Sequence, residues 1–121
     1  ALASTVAHDS HNLVVVGASD EEMALAANTV IASDGGQIVV AGEQVLAYLP
    51  LPLAGLISDL PLAEVTKRVS QLEEAARALG CSLPSPMMTL SFLALPVIPE
   101  LRLTDHGLID VALFKVVPLE A

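Results

Sequence analysis

A chain of 121 residues, 54% hydrophobic and 16% charged, is long enough to bury a core as a single domain over residues 1–121 without a disulfide or metal. Its net charge of −9, from 14 acidic against 5 basic residues, repels phosphate backbones and argues against nucleic acid as a partner. The single cysteine, Cys81, excludes an intrachain disulfide and points to a reducing compartment.

With no Trp, one Tyr and two Phe, the core must come from Val, Leu, Ile and Ala, which suits sheets covered by helices. So few charges leave part of the surface to be covered, by a further domain or by a second copy in a homo-oligomer. No basic segment precedes an apolar one as in a secretory signal. The longest charge-free apolar stretch, residues 47–58, carries Pro50, Pro52 and Gly55 and is too short to span a bilayer. A soluble, cytoplasmic protein without membrane contact is expected.

In chain order, Leu13 to Val16 is an apolar run without polar alternation, which predicts a strand buried on both faces and parallel to its neighbours. Ser19 with Glu22 three residues on forms a capping box, and Asp20, Glu21 and Glu22 place carboxylates at the positive end of a helix. Met23, Ala26, Ala27, Val30 and Ile31 keep helical spacing until Asp34-Gly35-Gly36 stops it. Gln37 to Ala41 predicts the next strand, completing a βαβ unit, and Gly42-Glu43 leads into a hairpin partner over Gln44 to Leu49.

Residues 49–56, with two prolines, predict an ordered apolar connector. Pro61 then suits the first turn of a helix whose stripe is Val65, Val69, Leu72, Ala76 and Leu79, closed by Gly80 as C′. Residues 82–99 read as Pro-rich and irregular, with short strand pieces. Leu101 to Leu103 predicts a short strand, Thr104-Asp105-His106-Gly107 a turn, and Phe114 to Val117 a final strand. The expected fold class is α/β, with α+β possible: a mixed sheet, two main helices packed on it, and a Pro-rich C-terminal region.

The densest polar feature is His8-Asp9-Ser10-His11-Asn12, at the entrance to the first predicted strand, where pocket groups gather in α/β proteins. These five are the pocket-lining candidates. His8 and His11 are also metal-ligand candidates, but if extended they point to opposite faces, so a shared metal requires a turn. Only His106 remains as a third histidine, and a closed site wants three or four ligands. The bland alternative is that Asp9 and Asn12 satisfy backbone groups at a strand entrance.

Gly17-Ala18-Ser19 could cradle an anion, yet Asp20, Glu21 and Glu22 already occupy that helix end. Cys81 follows a helix C-terminus, where the dipole disfavours thiolate, and reads as a packing residue. Glu73 and Glu74 among Lys67, Arg68 and Arg77 read as a solvated helix face, and His106 as a turn residue. GxSxG, HExxH and paired CxxC motifs do not occur.

Three blocks, residues 4–17 (STVAHDSHNLVVVG), 49–59 (LPLPLAGLISD) and 88–101 (MTLSFLALPVIPEL), together resemble the C-terminal part of bacterial adenine deaminases, a family of the amidohydrolase superfamily. The resemblance covers nearly the whole chain. It implies hydrolysis of adenine to hypoxanthine and ammonia, in purine salvage or adenine catabolism, at a divalent metal centre, manganese or iron, inside a (β/α)₈ barrel. The family's His-x-His and later barrel ligands precede this region, so the chain by itself carries no catalytic residue and is expected to be inactive. Its implied partners are the missing barrel and, in the complete enzyme, adenine; the His8 to Asn12 block matches the family's motif and is expected to help close the pocket. Two other readings stand beside this one: a self-standing small-molecule-binding or oligomerisation domain, and a small metallohydrolase built on His8, Asp9 and His11.

Overall fold

The computed structural model describes residues 1–120. A four-stranded sheet is built from β1 (Leu2–Ser4), β2 (Val14–Val16), β3 (Gly36–Ala41) and β4 (Gln44–Pro50), in the order β2-β1-β3-β4. Helix α1 (Asp20–Ile31) connects β2 to β3, and α2 (Leu62–Ala78) follows the proline-containing connector after β4. A short helix α3 (Pro86–Phe92) leads to a second sheet of β5 (Leu101–Thr104), β6 (Gly107–Asp110) and β7 (Lys115–Val117), in that order.

Helices packed on a sheet agree with the expected architecture, and the pairing places it on the α+β side. Every pair in both sheets is antiparallel, so Leu13 to Val16 does not lie parallel to its neighbour. The physical reason is β1, which inserts between β2 and β3 and pairs antiparallel with each. Strands β2 and β3 therefore run in the same direction one strand apart, and β2-α1-β3 is a split form of the expected βαβ unit.

The sheet separates two apolar clusters. On one side Ile38 and Val40 of β3 pack with Ala3, Ala26 and Val30 beneath α1. On the other Val39 packs with Ala47, Leu49, Leu51, Leu72, Ala76 and Met87 beneath α2 and α3. Successive side chains of a strand point to opposite faces, so the run Ile38-Val39-Val40 serves both clusters and is fully buried. The similar run Val14-Val15-Val16 lies on the sheet edge and is only half-buried, correcting the expectation of burial on both faces.

Local signals set the helix ends. The Ser19 Oγ accepts from the Glu22 N–H at 3.2 Å, but Glu22 does not reach back to complete a capping box: its carboxylate accepts from the Gly42 N–H at 2.6 Å. Pro61 stands at the N-cap of α2 rather than inside its first turn. At the other end Gly80 adopts φ +94°, its N–H reaches Arg77 O, and the Cys81 N–H reaches Ala76 O. Those two bonds form a Schellman motif, with Cys81 packed against the α2-side cluster as expected.

Residues 82–99 contain α3, which the irregular reading missed. Pro86 at its first position has its φ already set and lacks an N–H that would have no helical partner there. The 104–107 turn forms as expected, with Thr104 paired to Gly107, and it joins β5 to the unforeseen β6. Among the described residues no helix is long and apolar enough to cross a membrane.

Candidate functional site

The segment from Thr5 to Leu13 links β1 to β2, and its start is fixed to the body of the domain. The Thr5 hydroxyl donates to Gly55 O at 2.6 Å and accepts from the Gly36 N–H at 2.9 Å, while the Thr5 N–H reaches Gly36 O at 3.0 Å. One side chain thereby joins the end of β1, the start of β3 and the apolar connector. Gly35, at φ +130°, lies so close to the Gly55 backbone that a Cβ there would collide with it. The next polar link is Ser4, fully buried, whose Oγ accepts from the Val6 N–H at 3.0 Å.

Beyond Ala7 the chain turns instead of extending. The His11 N–H donates to Ala7 O at 2.8 Å and the Ser10 N–H to His8 O at 3.0 Å. Asp9 at φ +68° and His11 at φ +50° occupy the left-handed region, unusual for residues other than glycine but tolerated best by Asn, Asp and His. Such conformations persist only where the surroundings impose them. Here the His8 N–H donates to Ser91 O at 2.9 Å, and the His8 ring stacks on Phe92 with centroids 5.3 Å apart and planes 27° from parallel.

The result is a loop braced from below and open above. His8, Asp9, Ser10, His11 and Asn12 are all exposed. The His8 Nδ1 lies 3.4 Å from the Asp9 Oδ1, both side chains more than half exposed, a geometry that contributes little in water. The turn removes the objection that an extended segment would point His8 and His11 apart. Even so, among the described residues no three His, Cys, Asp or Glu side chains are grouped to hold a metal ion. His106 stands at the exposed β5–β6 turn, in the second sheet.

A cleft of about 200 Å³ opens between α2 and α3, lined by Val6, Val69, Leu72, Met87 and Met88 among others, and the five loop residues do not contribute to it. Glu64 pairs with Arg68 and Glu73 with Arg77 along α2, as a solvated face does. At the α1 end Ser19 caps its own helix and leaves no empty anion cradle. Sequence reasoning found the loop but not its supports, Thr5, Ser91 and Phe92. Ser91 and Phe92 lie some eighty positions from His8, and nothing local joins them; a rare aromatic residue in an otherwise aliphatic chain was the one available signal.

Fold and loop together define a helix-covered antiparallel domain that presents an exposed, pre-shaped, histidine-containing loop. The family model for the adenine deaminase C-terminal domain matches residues 1–115, and the chain belongs to that family. It is 56% identical over 119 residues to an adenine deaminase of Moorella thermoacetica, covering 98% of this chain and 20% of that protein. An adenine deaminase of Methylobacterium nodulans is 59% identical over 111 residues, covering 92% of this chain and 20% of that one. One of Archaeoglobus fulgidus is 54% identical over 121 residues, covering 100% of this chain and 22% of that one. The chain thus spans about a fifth of the length of these relatives.

Proposed function

We propose that this chain, as one folding domain, is the C-terminal part of an adenine deaminase acting in the cytoplasm on the purine salvage or adenine-degrading route. In this reading its His8 to Asn12 loop completes a pocket whose catalytic floor lies in the preceding part of the polypeptide. The observation that carries the proposal is that five polar side chains are held exposed on a braced, partly left-handed loop. Backbone conformations of this kind cluster at functional sites, and here they present polar side chains to whatever covers the loop.

The overall reaction adds the oxygen of water to C6 of adenine, breaks the C6–N bond and releases ammonia, leaving hypoxanthine. A divalent metal, manganese or iron, would supply the activated water in the complete enzyme. The residues here do not fit that metal, because among the described residues no three His, Cys, Asp or Glu side chains, His8, Asp9 and His11 included, are grouped to hold one. The chain's own contribution is polar recognition. A neutral imidazole offers one donor and one acceptor, Ser10 and Asn12 offer both, and Asp9 accepts, a set suited to the ring nitrogens and exocyclic amine of a purine. The isolated domain has no means of activating water and is inactive on this account.

In the full-length enzyme, His8→Ala or His11→Ala is expected to lower kcat/KM for adenine by more than about tenfold, read as ammonia release. An unchanged value for both variants would remove the loop from the pocket. The cleft between α2 and α3, lined by Gln37, Glu73, Ser85 and Ser91 beside its apolar residues, is the feature a self-standing binding domain would use.

A further inference from the structure

The second sheet is far less covered than the first. Strands β5, β6 and β7 pack principally on one another, and none of the three helices forms a layer over them. Cross-strand pairing puts Leu103, Leu108 and Val117 on one face in line with Leu101, so exposed Leu101 and Leu103 border half-buried Leu108 and Val117. Val116 is exposed on the opposite face, and the β6–β7 turn carries Leu113 and Phe114 outward, Phe114 being 85% exposed. Leu119, just beyond β7, is 74% exposed. Three short strands need an apolar face covered to be stable, and apolar groups clustered this way mark an interaction surface.

We propose that the apolar surface of residues 101–119 is the docking face for the preceding part of the same polypeptide. This rests on the reading of the chain as the C-terminal part of a longer enzyme. Three observations select that occupant. About four-fifths of each related protein lies outside the matched region, ample to cover a small sheet. The sheet is joined to the site loop through α3: the Leu103 N–H donates to Leu93 O at 3.1 Å, just past α3, and Phe92 of that helix stacks on His8. A body seated on the sheet is therefore linked through Leu93 and Phe92 to the loop it is proposed to complete. The alternative occupant, a second copy, would bring together two domains of net charge −9.

The test places the photoreactive residue p-benzoylphenylalanine at position 114 of the full-length enzyme, with position 113 as a second placement should the first fail to express. The labelled enzyme is co-expressed with an unlabelled copy bearing a different tag. The expected result is an intrachain link from 114 or 113 to a peptide preceding this domain. A link to the other tagged copy, or no link outside residues 1–121 from either position, overturns the proposal. Activity is not the readout, so loss of this docking face and failure of the His8 and His11 variants to affect turnover are separate outcomes.

Discussion

Glu22 shows how a residue placed for one purpose by local sequence is used for another by the fold. Its position three residues after Ser19 suits a capping box, but the turn after β3 brings the Gly42 N–H within 2.6 Å and the carboxylate goes there. That bond holds the Glu22 carboxyl below its ordinary value, while partial desolvation opposes it. Because folding lowers this pKa, the contribution is complete above the unfolded value near 4.5 and disappears as pH falls through the folded one. Glu22→Gln is expected to flatten the acid limb of the stability profile below about pH 4.5, measured by urea unfolding across pH. An acid limb identical to the parent's would show that Glu22 does not contribute. Thr5 is the other residue of this kind: its hydroxyl serves three separate segments, and no sequence pattern announces it.

At the scale of elements, the site loop depends on α3. This seven-residue helix is too short to be stable alone, and it is held by Met87 and Leu90, both buried. Its C-terminal turn gives the loop an acceptor, Ser91 O, and an aromatic platform, Phe92. An aromatic stack contributes roughly 0.5–1.5 kcal/mol beyond its area, so Phe92→Ala is expected to lower kcat/KM of the full-length enzyme by about two- to tenfold. Phe92→Tyr, which keeps the ring, should restore most of it; equal losses in both variants would argue against a platform role. The helices α1 and α2, the β3–β4 hairpin and the 104–107 turn were legible because each carries a periodic stripe, a cap or turn residues. β1, α3 and β6 were not: Leu2-Ala3-Ser4 is too short for a pattern, α3 lies among prolines, and β6 is four residues long. The runs at Val14 and Ile38 look alike in sequence, and only the insertion of β1 makes one an edge and the other a centre.

For the molecule as a whole, composition indicated early that the surface is incomplete. Exposed apolar side chains occur along much of the chain, Ile31, Ile57 and Leu62 among them, and those of the second sheet are the ones linked through Leu93 and α3 to the His8 loop. The five candidate residues, His8 to Asn12, were visible in the sequence because they are a polar island in an apolar chain. Their orientation was not, since it depends on Asp9 and His11 adopting left-handed backbone and on contacts with residues 91 and 92. The central claim, that this loop faces a purine held by the rest of the enzyme, is tested most directly by amide hydrogen exchange in the full-length protein. With hypoxanthine, the reaction product, at a concentration that fully inhibits turnover, the amides of residues 8–12 are expected to exchange more slowly by about tenfold or more than in the free enzyme. Identical exchange in those residues with and without inhibiting hypoxanthine would contradict the account.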